Sequence, residues 1–551
     1  APSRDSLDSM PLSGRLGAGA NVWVQDGAIW LYLAHSGAYD ERGRLLKLGC
    51  VRVTPLAFKL GATGLRQELD LASGCIILQQ DDFKASLWFA GETLIFESTS
   101  SAPGALDVAF GTWRHQNRDG VRCDMMGARG NFTADRIRAD TDGFVWFHRN
   151  ADYPSDVIGM ARSQGIPAEA VHDATTRRVF GATVVVAGGI SQPVESNVRW
   201  QFWDGKAWTG RTPARTTHVI AMRLGAKLDS NPQQWLAEAN ALLAPAARQT
   251  AKADELKHWG TFWSRSHIII NPTAQTDDPG WLIGRNYQLF RYMLACNRNG
   301  ELPLLFNGGI FTTDNNGRIK GNNNDELPTF EGEPVTPDFR RWMGCHFMSQ
   351  NQRWVGWPTL GSGDADLLWP SLRFYRDRSA TATARAKTNG AQGVVYPEPL
   401  DVWGLCCVAP RPDGLCGAEH LTYHFSMMLE HAWMALQAHD TLDVDLKNDL
   451  PWIEGVVRFY DTFCKTGADG KLVIYPSNGL EYAGNATNPI EVVAGLTRIT
   501  ASLLALADLP AVSRAWLSAF QRRLPALPTG RRQGRLSLLP AQKFTREYNK
   551  W

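Results

Sequence analysis

Glu481 is a lone carboxylic acid in a stretch of turn-forming residues, "VIYPSNGLEYAGNATNP" (473–489). An apolar, strand-like run precedes this stretch, and a helical pattern follows it. A rigid loop with Tyr475 and Tyr482 beside the carboxyl would desolvate it and raise its pKa. Such a group could stay protonated near neutral pH and act as a general acid. A solvated surface glutamate is the alternative interpretation.

Polar side chains also concentrate in "PDFRRWMGCHFMSQNQRWVGWPTLGSGDADLLWP" (337–370). Amides, a guanidinium group, indoles and carboxylates together can hydrogen-bond and stack a polyhydroxylated ligand. Interior structural residues are the alternative. Two further loops contribute candidates. The loop "NGG" (307–309) adds an amide, although a plain turn is equally plausible. The loop "YPEPLDVW" (396–403) adds a glutamate held between two prolines. The candidate polar and aromatic residues from these loops are Asn307, Gln350, Asn351, Arg353, Trp357, Asp364, Asp366, Glu398 and Trp403.

His420 and His424 stand four residues apart on a helix predicted over 417–438, next to Glu419. This spacing can bind zinc, but the sequence shows no third ligand, so a polar helix stripe is the favoured interpretation. The chain contains neither GxSxG nor a glycine-rich phosphate loop followed by Lys. We therefore predict no metal site and no cofactor.

Bulk properties exclude several classes of protein. The chain has 551 residues and a formal net charge of +2, which gives no electrostatic reason to expect nucleic acid or an acidic membrane surface as a partner. The most apolar late stretch, 490–512, carries Arg498 and Asp508 and is predicted to be a core helix. Twenty-one tryptophans exceed ordinary usage and favour a carbohydrate ligand, although most of them should lie in the core. The oligomeric state cannot be predicted.

The pattern of elements predicts two kinds of domain. From residue 20 to about 225, runs such as "AIWLYLA" (28–34) and "LLKLGCVRV" (45–53) alternate with turn residues, which predicts an antiparallel β-sandwich over 1–228. A helical linker is predicted over 229–258, with Ser230 or Asn231 as N-cap and Pro232 in the first turn. Amphipathic helices separated by irregular loops then predict a helical domain over 259–551.

The first residue is Ala, and two sequons, at Asn131 and Asn485, match glycosylation acceptors. The chain therefore looks processed or trimmed, and we expect a secreted or periplasmic protein. The nine cysteines include no CxxC pair, so neither a zinc site nor a regular disulfide framework is indicated.

Four stretches resemble a group of bacterial and fungal proteins related to glycoside hydrolase family 95, the inverting α-L-fucosidases. They are residues 9–53, "HWGTFWSRSHI" (258–268), "QNQRWVGWP" (350–358) and "YPSNGLE" (475–481). The resemblance runs over nearly the whole chain in the same order. It implies an N-terminal β-sandwich, a helical linker and an (α/α)6 toroid that binds a sugar at its open end.

The resemblance also implies roles for individual residues. Glu481 occupies the general-acid position of the family's "PS-x-SPE" motif, and Asn351 matches the second of two asparagines that position the attacking water. Ser349 replaces the first asparagine and Cys345 stands in the preceding aspartate position, which weakens fucose as the substrate. In the family, the catalytic base lies in a segment that follows the position matching Trp551. The predicted helices are also too few to close a toroid. We therefore expect an incomplete toroid, with Asp364, Asp366 or Glu398 as the base or with no turnover.

Together these features predict an inverting, exo-acting glycoside hydrolase. The predicted pocket-lining residues are Asn307, Arg340, Arg341, Trp342, Gln350, Arg353, Trp357, Trp403 and His424. A non-catalytic carbohydrate-binding protein with the same pocket is the main alternative. A polysaccharide lyase on a similar toroid, using His424 and Arg353, is a weaker one.

Overall fold

Two compact units make up the computed structural model of the chain. The N-terminal unit comprises residues 1–153 and 175–344, and the C-terminal unit comprises residues 154–174 and 345–551. The structure describes residues 3, 5–61, 64–122, 129–152, 155–314, 329–330, 333–334, 336–340, 347, 349–479 and 482–547. The domain boundaries expected at residues 228 and 258 stay predictions.

The N-terminal unit consists mainly of β-strands. They are β1 (Met10–Ser13), β2 (Ala18–Gln25), β3 (Ala28–Tyr39), β4 (Leu45–Pro55), β5 (Arg66–Asp70), β6 (Cys75–Gln80), β7 (Phe83–Ala90), β8 (Thr93–Gly104), β9 (Leu106–Thr112), β10 (Arg118–Arg122), β11 (Arg129–Phe132), β12 (Arg136–Asp140), β13 (Gly143–Arg149), β14 (Arg178–Val186), β15 (Val194–Trp200), β16 (Trp203–Arg211), β17 (Arg215–Leu228), β18 (Thr329–Phe330) and β19 (Glu333–Pro334).

Two antiparallel sheets pack face to face in this unit. One has the strand order β1-β2-β3-β4-β9-β16-β15 and the other the order β12-β13-β14-β17-β8-β7-β6-β5. The ring of Phe110 in the first sheet stacks on Trp146 in the second, with 3.8 Å between ring centroids. The indole Nε1 of Trp146 donates to the carbonyl of Leu48, 2.5 Å away. The antiparallel sheets predicted for the N-terminal half are confirmed.

A cluster of buried aromatic residues forms one part of the core of the first sheet. It contains Trp23, Trp30, Trp113, Trp200 and Trp203, each at most 6% exposed. Such indoles stabilise the sheet by burying a large apolar area, and they are not exposed platforms for a ligand. Much of the tryptophan excess is therefore structural.

Eleven α-helices lie in the described residues, mostly after the second sheet. They are α1 (Ser155–Ser163), α2 (Pro232–Ala241), α3 (Pro245–Arg265), α4 (Pro279–Ala295), α5 (Ser349–Gly361), α6 (Ala365–Asp377), α7 (Ser379–Thr388), α8 (Ser426–Leu442), α9 (Leu450–Phe463), α10 (Ile490–Ala505) and α11 (Ala511–Arg523). Asn231 is the N-cap of α2, because its side chain accepts from the backbone N–H of Gln233, and Pro232 begins the helix, as predicted.

In the C-terminal unit, α8 packs against α5, α6, α9 and α10. Short strands complete the unit: β20 (Lys465–Thr466), β21 (Leu472–Val473), β22 (Ser477–Gly479), β23 (Ala483–Pro489), β24 (Thr529–Arg532), β25 (Arg535–Leu538), β26 (Ala541–Lys543) and β27 (Arg546–Glu547). The expected helical C-terminal part is confirmed, while its closure into a toroid stays a prediction. Within the described part of the chain, we find no helix with the length and apolar character needed to cross a bilayer.

Candidate active site

Candidate residues lie at both ends of the helical hairpin formed by α5 and α6. Residues 362–364 connect the two helices, so α5 and α6 run in opposite directions. Asn351 lies in the first turn of α5, about 15 Å along the helix axis from Gly361 at 1.5 Å per residue. Asp364 and Asp366 lie beyond that far end. The two aspartates are therefore at the opposite end of the hairpin from Asn351.

Glu398 lies at the same end of the hairpin as Asn351. Phe347, just before α5, donates its backbone N–H to the carbonyl of Leu400 at 2.8 Å, which brings the loop around Glu398 to the start of α5. The pKa of Tyr375, in the last turn of α6, is raised well above its usual value by burial and then by the charge of Glu398. Phe347 also packs against Phe374 of α6, so the end of α6 meets the start of α5, and the loop of Glu398 lies at the end of the hairpin where Asn351 stands. Glu398 itself is fully buried.

Two buried arginines hold the loop that carries Glu398. Arg378 donates from Nε to the carbonyl of Val402 at 2.7 Å. Arg385 donates to the carbonyls of Val395 at 3.0 Å and Gly404 at 2.6 Å. Burial lowers the pKa of Arg385 to about 10, so its guanidinium group stays charged at pH 7. Hydrogen bonds from Arg385 of α7 and from Arg378, which precedes α7, therefore hold this loop in place.

Trp403 lies further along the same loop and is 1% exposed. Asp401 organises this part of the loop, since its Oδ1 accepts from the backbone N–H of Trp403 and of Leu405, both at 2.9 Å. The indole of Trp403 thus packs in the core, and its predicted contact with a substrate stays a prediction.

Glu430 of α8 is a carboxylate at this end that the sequence analysis missed. Its Oε1 accepts a 2.7 Å hydrogen bond from Nε1 of Trp357, and its Oε2 lies 3.4 Å from Nη1 of Arg353. The ring of Trp357 also meets Trp433 edge to face, with centroids 5.1 Å apart. Arg353 and Trp357, predicted to bind a sugar, thus bind the facing helix. A lone acid within the apolar run "SMMLEHAW" was the available signal.

His431, next to Glu430, is buried behind this end of the bundle. Its Nδ1 bonds to the carbonyl of Met427 at 3.0 Å, and its ring centroid is 4.2 Å from that of Tyr375. Burial lowers the pKa of His431 below its usual value, so the ring is neutral at pH 7. Tyr375 also keeps its proton, because its pKa is raised, so this pair of rings is neutral at pH 7.

His424 precedes α8 and is 2% exposed, with Nε2 at 2.8 Å from the hydroxyl of Ser426. The helix predicted over 417–438 begins only at Ser426, so His420 and His424 do not share a helical face. The reason is Asn478, whose side-chain amide donates to the carbonyls of Glu419 and Thr422 at 2.9 and 2.5 Å. These carbonyls are held by a side chain from another segment, and the chain here is irregular.

The same Asn478 anchors the hairpin of β22 and β23. Gly479 pairs with Ala483 across the hairpin, and the backbone N–H of Asn485 donates to Oδ1 of Asn478 at 2.8 Å. The side-chain Oε1 of Glu491 lies against Gly479, 3.3 Å from where a Cβ would stand. Glu491 is thus a carboxylate next to this hairpin that the sequence analysis did not select as a candidate.

Some predicted site residues lie outside the described residues. Glu481 falls between β22 and β23 in the chain, and Arg341 and Trp342 precede α5; none of the three is among the described positions. For Gln350 the structure describes the backbone, in the first turn of α5, but not the side chain. The roles of these four residues stay predictions.

Asn307 and Arg340 belong to the N-terminal unit and bond to each other. Arg340 is 5% exposed and donates from Nη1 to the carbonyl of Asn307 at 2.9 Å. Nearby, burial and then the charge of Arg340 lower the pKa of Lys47 to about 7. Lys47 donates to the carbonyl of Ile310 at 2.8 Å. This pair therefore forms part of a buried polar network in its own unit.

The Asn351 end of α5 thus meets Glu430 of α8, through Arg353 and Trp357, and the loop that carries Glu398, through Phe347 and Leu400. An amide can orient a water molecule, and a nearby carboxylate can accept its proton. Among the described residues, no group of His, Cys, Asp and Glu is arranged to hold a metal ion. Acid–base chemistry on a hydroxylated ligand is what these groups can perform.

Comparisons with known proteins give a partial family match and a fold. A family model described as "Domain of unknown function (DUF5703)" matches residues 1–268, somewhat less than half of the chain. No curated protein sequence matches.

Solved structures of carbohydrate-active enzymes match nearly the whole chain. A protein from the human microbiome, assigned as a kojibiose phosphorylase, matches with a TM-score of 0.50 and 11% identity, over 96% of this chain and 70% of its own. A bacterial glucoamylase complexed with acarbose matches with a TM-score of 0.44 and 11% identity, over 95% of this chain and 66% of its own. The inverting GH92 mannosidase of Bacteroides thetaiotaomicron matches with a TM-score of 0.37 and 10% identity, over 90% and 70%. At this identity, the first match shows that the chain shares a glycosidase-type fold, and nothing more specific.

Proposed function

We propose that this chain is a glycoside hydrolase that inverts the anomeric carbon and removes sugars from the end of an oligo- or polysaccharide. The observation that carries the proposal is the common location of Asn351 and Glu398 at one end of the α5–α6 hairpin. The likeness of the fold to carbohydrate-active enzymes supports the same class. Relation to glycoside hydrolase family 95, and export from the cytoplasm, belong to this proposal.

In the proposed reaction, Glu481 donates a proton to the glycosidic oxygen while a water molecule attacks the anomeric carbon from the opposite face. Asn351 orients that water and Glu398 accepts its proton. Inverting enzymes place acid and base about 6.5–9.5 Å apart, which leaves room for the water. Asp364 and Asp366 are less suitable bases, because the length of α5 separates them from Asn351.

The remaining predicted residues of the C-terminal unit are proposed to line the pocket. Arg353 and Trp357 would act through their bonds to Glu430, which fix the face of α5 next to Asn351. Gln350, Trp403 and His424 are the other proposed lining residues of the C-terminal unit. The substrate-binding roles of Asn307, Arg340, Arg341 and Trp342 stay predictions from the sequence.

The test is Glu481→Gln, assayed on aryl glycosides with good and poor leaving groups. Loss of a general acid lowers the rate by about 10²–10⁴-fold, and the loss should be largest for poor leaving groups, which need the proton most. Glu547→Gln is the matched control, because Glu547 is exposed on β27, which pairs with β23. Assays with and without inorganic phosphate would reveal phosphorolysis instead of hydrolysis. Activity of Glu481→Gln within about tenfold of wild type, on all leaving groups, would exclude Glu481 as the acid.

A non-catalytic carbohydrate-binding protein is the second candidate. It is favoured by the complete burial of Glu398 and by the engagement of Arg353 and Trp357 with Glu430. Calorimetry that detects oligosaccharide binding, without turnover of any glycoside, would support this function over hydrolysis.

A further inference from the structure

Two buried cysteines meet in the C-terminal unit, where the loop that carries Glu398 ends. Cys406 and Cys416 are 2% and 1% exposed, and both are thiols in this structure. Their Sγ atoms lie 3.4 and 3.2 Å from the same acceptor, the carbonyl oxygen of Val408. The two thiols also form a hydrogen bond with each other. The sulfur atoms are therefore neighbours, although a turn of the chain separates the two residues.

Gln164 fixes the backbone of Cys406. The side-chain Nε2 of Gln164 donates to the carbonyl of Cys406 at 2.9 Å, and its Oε1 accepts from the backbone N–H of Cys406 at 3.0 Å. Gln164 is 1% exposed, so these two bonds are shielded from competing water. The backbone of Cys406 is therefore held in one position by a side chain from another segment.

A turn of the chain brings Cys416 back beside this segment. Pro410 pairs with Cys416 in an antiparallel bridge, and the backbone N–H of Gly417 donates to the carbonyl of Ala409 at 2.8 Å. The hydroxyl of Thr422 donates to the carbonyl of Cys416 at 2.8 Å. Cys416 is thus held both by the residues before it and by the residues after it.

The guanidinium group of Arg385 holds the two cysteine segments together. It donates from Nη2 to the carbonyl of Gly404 at 2.6 Å and from Nε to the carbonyl of Gly414 at 2.9 Å. Gly404 and Gly414 each stand two positions before one of the cysteines. A single buried side chain therefore sets the distance between the two segments, and the contact of the thiols is a designed feature of this fold.

We propose that Cys406 and Cys416 form a disulfide bond when the chain folds in an oxidising environment. The two sulfur atoms, already neighbours, would approach to the covalent distance of about 2.05 Å. The bond would close residues 406–416 into a ring and join the loop of Glu398 to the segment that precedes Glu419. It would stabilise the fold mainly by restricting the unfolded chain. The proposal does not depend on the proposed hydrolase activity.

The oxidant in this step is a small-molecule disulfide, for which glutathione disulfide serves as the probe. The thiolate of one cysteine attacks a sulfur of glutathione disulfide, forms a mixed disulfide and releases one glutathione. The thiolate of the other cysteine then attacks that mixed disulfide, forms the Cys406–Cys416 bond and releases the second glutathione. The two protons lost by the cysteines are taken up by the two glutathione thiolates. Because both sulfurs are buried in the folded chain, the exchange takes place while the exposed turn at 409–412 is still open.

The experiment is disulfide mapping of the full chain after refolding in a buffer of reduced and oxidised glutathione. Free thiols are alkylated in denaturant without reduction, and the chain is cleaved before aspartate, which separates peptide 401–412 from peptide 413–439. Mass spectrometry should find the two peptides joined, with Cys407 alkylated. Cys407→Ser is the matched control, because Cys407 is the adjacent and less buried cysteine. It should leave the two peptides joined.

Two results would overturn the proposal: separate peptides after refolding in the glutathione buffer, or a link that Cys407→Ser removes. Near-ultraviolet circular dichroism verifies the fold of each sample before cleavage. Thermal unfolding supplies a second measurement, in which dithiothreitol should lower the melting temperature of the wild type and of Cys407→Ser by at least about 3 °C. It should leave Cys416→Ser unchanged, and an equal fall in that variant would refute the stabilising role of the bond.

Discussion

Replacement of Glu398 by Gln is predicted to abolish most of the turnover. The substitution keeps the shape of the side chain and removes the proton acceptor. Loss of a general base costs about 10²–10⁴-fold in kcat, equivalent to about 3–5 kcal/mol of transition-state stabilisation. KM should change little, because Glu398 is fully buried and would act on water. The measurement is steady-state hydrolysis of an aryl glycoside that the wild-type chain turns over.

Asp366→Asn is the matched comparison for this prediction. Asp366 lies in the first turn of α6, at the far end of the hairpin from Asn351, about 15 Å away along α5. Its loss should leave kcat within about threefold of wild type. The reasoning is refuted if Asp366→Asn loses as much activity as Glu398→Gln, or if Glu398→Gln remains folded and retains more than a tenth of the wild-type rate.

Two further predictions concern stability. Burial alone would lower the pKa of His148, but hydrogen bonds to Asp135 and Glu41 outweigh it and raise the pKa from 6.5 to about 9. The proton on His148 should stabilise the fold by about 3 kcal/mol; this stabilisation should be complete below pH 6.5 and lost as the pH rises through 9. Denaturant unfolding at pH values from 6 to 10 measures this loss. The variant His148→Gln should not show it. Arg385→Met leaves buried carbonyls without donors and should lower the unfolding free energy by about 3–5 kcal/mol. The control Arg522→Met, at an exposed position, should change the unfolding free energy by less than about 0.5 kcal/mol. If Arg385→Met is as stable as the wild type, the loop does not need this support.

Local sequence signals predicted the regular elements well. The run at 28–34 lies inside β3, whose residues are all buried, and its length and β-branched or aromatic content sufficed. The start of α2 was also predictable, because Asn231 and Pro232 specify a helix terminus within a few residues. Signals of this kind act between neighbours in the chain and do not depend on tertiary packing.

The candidate site was less predictable, because distant segments determine it. The helix expected over 417–438 loses its first turns to Asn478, which binds the carbonyls of Glu419 and Thr422. The sequence analysis selected Arg353 and Trp357 by residue type but could not identify Glu430 as their partner on α8. The prolines beside Glu398 did indicate a rigid loop. Its location at the Asn351 end follows from the pairing of Phe347 with Leu400, which no local pattern reveals.

The pairing of β23 with strands from the end of the chain delays part of the folding during synthesis. Its partners, β26 and β27, come from residues 541–547, more than fifty positions later in the chain. A ribosome adds about 5–20 residues per second and domains form as they emerge, so this hairpin must wait several seconds for its last neighbours. The segment proposed to carry the proton donor would therefore gain its final support only after the sheets of the first unit had time to assemble.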